Sequence, residues 1–187
     1  MIKTQKTLIA TIVLLALASH LLLGEDPAVD GGPLVPLDSI LDVVLFSNWS
    51  KDFVDDKAAL VDEEDGISLF LRVSGQKWQR FPDIAVAGGM GQWPTLSLNE
   101  AGSLVIDSVH DAIGRAAWRK RLVIAYREKK IIVAGYEYSS YDKLAREPEV
   151  HFEVNYLTGK MILNQGVTAG PPQIIPLTEW EEPEGYR

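Results

Sequence analysis

The segment from Arg115 to Asp142, RAAWRKRLVIAYREKKIIVAGYEYSSYD, concentrates basic and aromatic side chains in an otherwise acidic chain. Arginine is well suited to hold a carboxylate, because its planar guanidinium group donates two parallel hydrogen bonds. Aromatic rings on the same surface could stack on a sugar. We therefore predict that a basic-aromatic strip captures carboxylates or an acidic polysaccharide. Its candidate ligand-binding residues are Arg119, Arg121, Arg127, Tyr138, Tyr141 and Trp93.

The same segment also has a simpler interpretation as a core β-hairpin with a polar exterior. Alternation along the first strand places one set of side chains on the core face: Trp118, Leu122, Ile124 and Tyr126. On the second strand the core face would hold Ile132, Ala134, Tyr136 and Tyr138. Cross-strand aromatic and β-branched pairs contribute about 0.2–1 kcal/mol each, so this composition needs no ligand. We expect a core hairpin first and an arginine-lined contact face second.

Other reactive residues give little support to catalysis. His110 and His151 lie far apart and share no metal-ligand spacing. The glycine-rich stretch Val86 to Pro94 lacks the third glycine of a dinucleotide-binding loop, so we expect a flexible connection. Paired carboxylates could serve glycoside hydrolysis, but that chemistry depends on their separation in space. The candidates for such a pair are Asp62, Asp65, Asp107 and Glu153.

The elements that would position these residues are short β-strands. AALV and ISLFLRV are joined by a turn at Asp65-Gly66, and VHFEVNYL and KMILN flank Thr158-Gly159. TLSL and SLVID form another pair. Between the two long strands, Glu128-Lys129 is poor chemistry for a two-residue turn with positive φ, so we expect a loop of about four residues. The fold is therefore predicted to be mainly β, with antiparallel sequential hairpins, propeller-blade-like or a sandwich.

One segment near the start of this region is ambiguous. In DSILDVVLFSNW, Asp38 could cap a helix with Ile40, Leu41, Val44 and Leu45 on one face. LDVVLF could equally be a buried strand. We favour one short N-terminal helix.

The ends of the chain indicate export. Lys3 and Lys6 precede an apolar run, which predicts a signal peptide at residues 1–24, followed by a Pro/Gly-rich linker at 25–37, the β-rich domain at 38–165 and a Pro-rich C-terminal tail at 166–187. Removing the two lysines takes the net charge from −8 to −10. We therefore expect a periplasmic or secreted protein that binds no nucleic acid and touches a membrane only if the signal stays uncleaved. The absence of cysteine removes disulfides and thiolate chemistry.

Two stretches resemble known protein groups. KDFVDDKAALVDEEDGISLFLRV resembles one copy of the FG-GAP (VCBS-type) repeat, in which an acidic loop and an Asp-Gly turn join two blade strands. The IGR…W, IAYR, VAGY and LTGK segments are similar to a group of uncharacterised secreted proteobacterial proteins. The first resemblance implies blade-like hairpins, with Ca²⁺ as the one conceivable cofactor. Val54 replaces an oxygen ligand and Lys57 follows the acidic pair, so we expect no cofactor.

These patterns predict a small exported, non-enzymatic binding or interaction module. Its partner would be an envelope or extracellular component, protein or glycan. The alternatives are a hydrolase acting on polysaccharide or cell-wall material, and a structural accessory subunit whose strand edges pair with another chain.

Overall fold

The structure is a computed structural model that describes residues 37–46, 49, 56–73, 76–145 and 149–185. The predicted signal peptide, nearly all of the predicted linker and the segment Asp52–Asp55 of the FG-GAP-like stretch lie outside these residues. Among the described residues, no helix is long and apolar enough to cross a membrane.

The first sheet is a four-stranded antiparallel meander in chain order. Its strands are β1 (Ile40–Phe46), β2 (Asp56–Glu63), β3 (Gly66–Arg72) and β4 (Gln79–Ala85). Strands β2 and β3 are rich in apolar side chains and almost wholly buried, whereas β4 has only two buried residues, Phe81 and Ala85. β4 is thus an edge strand with one wet face.

The second sheet is larger and also follows chain order, from β5 at one edge to β11 at the other. Its central hairpin consists of the two longest strands, β7 and β8. The strands are β5 (Thr95–Leu98), β6 (Leu104–His110), β7 (Ala116–Arg127), β8 (Lys130–Asp142), β9 (Val150–Asn155), β10 (Lys160–Leu163) and β11 (Gly166–Ala169), and a short β12 (Ile175–Pro176) pairs with β8.

The two sheets share one hydrophobic core, as in a sandwich. Leu60, Leu69 and Leu71 of the first sheet pack with Leu104 and Ile124 of the second, and all five are fully buried. Neither sheet closes into a barrel within the described residues. The prediction of a mainly β fold built from antiparallel sequential hairpins is therefore confirmed.

The predicted N-terminal helix is wrong. Residues Leu37–Ser39 form a single 3₁₀ turn, and the chain then enters β1, which is the strand alternative. β1 pairs with β2 from Ile40 to Phe46, with an irregularity between Ile40 and Asp42. The Asp42 carboxylate accepts a hydrogen bond from the backbone N–H of Leu96, at 2.7 Å, and so connects β1 to β5. Pairing with distant strands decides the conformation of this segment, which its own sequence leaves open.

The turn between β7 and β8 also differs from the prediction. Arg127 pairs directly with Lys130, so the connection has two residues instead of about four. Glu128 and Lys129 both have positive φ, 50° and 62°. A two-residue turn of this kind matches the twist of two long antiparallel strands, which outweighs the local preference of Glu and Lys against positive φ.

A bulge in β8 changes which side chains face the core. Val123 pairs with Gly135 and Ile124 with Val133, so β8 carries an extra residue at this point. Val133 and Tyr136 therefore lie in the main core, whereas Ile132 and Ala134 form a small cluster on the opposite face. The predicted common face of Ile132, Ala134, Tyr136 and Tyr138 is wrong because the bulge shifts the alternation.

The C-terminal segment returns to the body after β11. β12 pairs with β8 at Val133 and Ile132, and a 3₁₀ turn follows at Leu177–Glu179. Leu177 is buried in the main core and Trp180 packs against it, whereas Ile174 is largely exposed. This segment crosses the inner face of the second sheet, meaning the face that packs on the core.

Candidate functional site

The arginines of the basic-aromatic strip lie on the outer face of the second sheet, away from the core. Arg119 donates from Nε to Asp107 at 2.8 Å and forms a second bond to the same carboxylate. This hydrogen bond raises the pKa of Arg119 above its ordinary value. Arg121 lies 3.6 Å from Asp107 and 3.5 Å from Glu137. Both guanidinium groups already contact carboxylates of neighbouring strands, so an external acid would compete with these pairs.

The other strip residues do not join them. Arg127 is exposed beside the β7–β8 turn, and Tyr141 is half-buried on the outer face opposite Ala117. Tyr138 lies on the inner face, next to the main core. Trp93 is 47% exposed in the loop that leads from the first sheet to the second. The structure thus distributes the strip over two faces and a loop, and its role in ligand binding stays a prediction.

A cleft of about 620 Å³ opens on the inner face of the second sheet. Its floor is formed by β6, β7 and β8, one wall by β4 and the other wall by the C-terminal segment. The floor residues are Ile106, Ser108, Lys120, Leu122 and Tyr136. Concave, partly apolar sites of about 300–1,000 Å³ are typical of ligand-binding proteins.

Three polar groups meet in this cleft. Lys120 Nζ lies 2.7 Å from Glu182 Oε1, and the hydroxyl of Tyr136 donates to the same oxygen. Only 12% of the Lys120 side chain and 19% of the Glu182 side chain are exposed. Burial and then the bond to Glu182 raise the pKa of Tyr136 far above its ordinary value. Glu182 thus connects the two donors in a largely shielded group, which we call the Lys120–Tyr136–Glu182 cluster.

Aromatic rings pack around this cluster. The Lys120 ammonium group lies 5.6 Å from the ring centre of Trp118, and His110 stacks on the same ring at 5.8 Å. Trp180 packs against Tyr136 with ring centres 5.7 Å apart, and both of these residues line the cleft. A ligand in the cleft would therefore meet aromatic as well as charged groups.

The β4 wall is fixed by an ion pair with the β2–β3 hairpin. Arg80 lies 2.7 Å from Glu63, which also accepts a hydrogen bond from Ser68. Burial by itself would raise the pKa of Glu63, but the bonds from Arg80 and Ser68 together lower it below its ordinary value. Arg80 is thus held by an acid of its own sheet.

The carboxylates proposed from the sequence for hydrolysis lie elsewhere. Asp107 on β6 and Glu153 on β9 lie on the outer face at the same level of the sheet. They are separated by three strand spacings, which correspond to about 14 Å. Paired glycosidase carboxylates lie about 5–9.5 Å apart. Asp62 and Asp65 belong to the β2–β3 hairpin, and neither lines the cleft. The cleft therefore uses different acids from those that the sequence suggested.

No group of three or more His, Asp or Glu side chains suited to a metal ion occurs in the described part of the chain. His110 contacts the Gly88 carbonyl oxygen through Nδ1 and stacks on Trp118, so its contacts are structural. Asp56 is completely buried and accepts a hydrogen bond from the backbone N–H of Trp49, at 3.1 Å. This acid of the FG-GAP-like stretch thus serves the fold.

Sequence reasoning missed Lys120, Tyr136 and Glu182 as a group. Strand alternation places Tyr136 in the core, the predicted strip gives Lys120 no role, and Glu182 lies in the Pro-rich tail, 46 residues from Tyr136. The available signal was a tail that places apolar Ile175, Leu177 and Trp180 among acidic residues, a composition that favours docking on the body.

Comparison with known protein families, with curated proteins and with solved structures finds no match to this chain. The resemblance to FG-GAP repeats and to the secreted proteobacterial group therefore stays a prediction.

Proposed function

We propose that this protein is an exported, non-enzymatic binding module that holds part of an envelope or extracellular component in the cleft of the second sheet. The observation that carries this proposal is the cleft itself: about 620 Å³ of space over a floor that combines apolar, aromatic and charged side chains. Such a lining supports recognition, because apolar surface supplies affinity and a few placed polar groups supply orientation.

Binding is favoured over catalysis by the state of the cleft's polar groups. Lys120 and Glu182 form an ion pair, and Tyr136 is bonded to the same carboxylate. The raised pKa of Tyr136 keeps its hydroxyl protonated, so this group acts as a hydrogen-bond donor. A protonated donor and a paired ammonium group suit the orientation of a ligand more than proton abstraction from one.

A rim variant with a matched control tests this proposal. Val86 lines the cleft and is 44% exposed, whereas Val167 on β11 is 64% exposed and lies outside the cleft lining. Val86→Trp should fill the entrance, and Val167→Trp adds the same side chain elsewhere. The wild-type protein and both variants would be screened against defined panels of peptides and envelope oligosaccharides, with thermal midpoints measured in parallel. We expect Val167→Trp to retain the ligands of the wild-type protein and Val86→Trp to lose them. Undiminished binding by a folded Val86→Trp variant would place the ligand elsewhere.

A second candidate function, the structural accessory subunit, is favoured by the edge strand β11. All four residues of β11 are exposed. Val167 on β11 and Leu163 on the neighbouring strand β10 present apolar side chains there. A short exposed edge can add a strand from a second copy of this chain. Sedimentation at several protein concentrations tests this. A concentration-dependent dimer that Val167→Lys abolishes would support it, and a monomer throughout would contradict it.

A further inference from the structure

The Lys120–Tyr136–Glu182 cluster joins two donors on central strands to an acceptor on the C-terminal segment. Lys120 and Tyr136 belong to the long central strands β7 and β8, which pair along their whole length. Glu182 follows the last 3₁₀ turn and lies next to Pro183, outside any paired strand. Two backbone pairs at β12 and the packing of Leu177 and Trp180 hold this segment. The donors are therefore preformed, whereas the acceptor can leave.

Both donors contact a carboxylate in this structure. Lys120, whose side chain is only 12% exposed, needs an anionic partner, because an unpaired buried charge is costly. The hydroxyl of Tyr136, in a residue only 3% exposed, donates to the same oxygen. Ser108, which is also 3% exposed, stands directly across from Lys120 in the β6–β7 register and adds a second hydroxyl group to the cleft floor. Two converging donors in a shielded site suit an oxyanion.

We infer that Lys120 and Tyr136 form a carboxylate-binding site, that Glu182 occupies this site in the free protein, and that the carboxylate of a ligand replaces it. This inference rests on the proposed binding function of the cleft and names the chemical class that the cleft recognises. The ligand is an organic carboxylate whose body lies against Ile106, Leu122 and the Trp180 ring. The displaced C-terminal segment then opens the wall of the cleft.

Glu182, as the internal occupant of the site, lowers the apparent affinity of the protein for an external carboxylate. A segment tethered beside its site competes at a high effective concentration, so a free carboxylate binds weakly while Glu182 is in place. If Glu182 fills the site in about 90% of molecules, its removal lowers the apparent Kd of an external carboxylate about tenfold. The full-length Glu182→Ala variant should therefore bind small carboxylates that the wild-type protein binds poorly.

The experiment titrates Glu182→Ala, the wild-type protein and the matched control Glu184→Ala with sodium acetate, 3-phenylpropionate and glucuronate. Sodium chloride at equal ionic strength is the reference, and the thermal midpoint and titration calorimetry are the readouts. Glu184 is a nearby exposed acid of the same segment and lies outside the cleft lining. We expect a saturable rise of about 2–4 °C in the midpoint of Glu182→Ala with carboxylates and not with chloride. The wild-type protein and Glu184→Ala should need about tenfold more carboxylate. The stronger of phenylpropionate and glucuronate then identifies an apolar or a sugar body.

A second variant in the same background tests the donors. Glu182→Ala combined with Lys120→Met should lose the carboxylate response, and Glu182→Ala combined with Tyr136→Phe should weaken it if the lysine variant does not fold. Equal responses to chloride and carboxylate in Glu182→Ala, or an undiminished response in the double variants, would overturn the inference. A failure of the proposed function gives a different result. The peptides or oligosaccharides of the panel would then bind Val86→Trp as they bind the wild-type protein, while Glu182→Ala still binds carboxylates. Loss of panel binding in Val86→Trp with no carboxylate response would refute this inference alone.

Discussion

Gly88 offers a quantitative test of how closely the loop between the two sheets packs on β6. A Cβ atom added at Gly88 would stand 2.7 Å from the carbonyl carbon of Val109, closer still to its oxygen, and 3.0 Å from the Cα of His110. These are backbone atoms of a paired strand, so no side-chain rotation relieves the contact. The Gly88 carbonyl oxygen also contacts the His110 ring, and its N–H donates to the Gln92 carbonyl at 2.8 Å. Alanine at this position must displace either the loop or β6.

Gly91 in the same loop separates this steric effect from backbone conformation. It has φ of +76° and no atom within 4 Å of an added Cβ, so Gly91→Ala is strained only by its dihedral angles. That strain costs about 1–2 kcal/mol, partly offset by the lower entropy of the unfolded chain. Overpacking costs typically 1–3 kcal/mol, and a contact with fixed backbone belongs at the upper end. We expect a loss of about 3 kcal/mol in the free energy of unfolding for Gly88→Ala and about 1 kcal/mol for Gly91→Ala.

Urea unfolding followed by tryptophan fluorescence measures both values, provided that the slope m is the same in all three proteins. Gly88→Ala should also weaken ligand binding, because the end of β6 carries Ser108 in the cleft floor. A Gly88→Ala variant as stable as Gly91→Ala would show that the loop does not approach β6 as described.

Three further results are expected. Replacing Glu128 and Lys129 by Asn-Gly should raise the free energy of unfolding by about 1–2 kcal/mol, since both positions have positive φ; an unchanged urea midpoint would contradict the two-residue turn. Tyr136→Phe should lose about 1–1.5 kcal/mol at pH 8 through the lost bond to Glu182. Because the pKa of Tyr136 is raised in the folded state, the stability that its hydroxyl contributes is fully present below a pH of about 10 and falls above it. The difference in free energy of unfolding between the wild-type protein and Tyr136→Phe should therefore shrink as the pH is raised above about 10. Leu177→Ala should cost about 2–3 kcal/mol and increase hydrogen exchange in the C-terminal segment more than elsewhere, whereas uniform destabilisation would argue that this segment is integral to the core.

The hairpins could be predicted from the sequence because their signals are local. Asp65-Gly66 and Thr158-Gly159 each separate two apolar runs, and both hairpins form, joining β2 to β3 and β9 to β10. Strand alternation and turn residues act over a few positions, so a single sequence contains the information.

The errors have non-local causes. The apolar spacing of Ile40, Leu41 and Val44 suits a helix as well as a strand, and pairing with β2 decides between them. Glu128-Lys129 adopts a turn that its residues disfavour, because β7 and β8 pair along their full length. In each case a long-range ladder outweighs a local preference.

The candidate site could be predicted only in part, again because its contacts are non-local. Alternation correctly places Arg119 and Arg121 on the outer face, but it does not reveal that Asp107 and Glu137 neutralise them there. The bulge in β8 is invisible in the sequence pattern, yet it determines that Tyr136 shares the inner face with Val133.

The position of the cleft follows from the unequal size of the two sheets. Four strands cannot cover the inner face of the larger second sheet, and the uncovered part of β6, β7 and β8 still carries large side chains. The C-terminal segment covers it instead, through Leu177, Trp180 and Glu182. A cover held mainly by side chains costs less to displace than a strand within a ladder. Binding in the cleft and detachment of the C-terminal segment should therefore be energetically coupled, since both use the same surface of Lys120 and Tyr136.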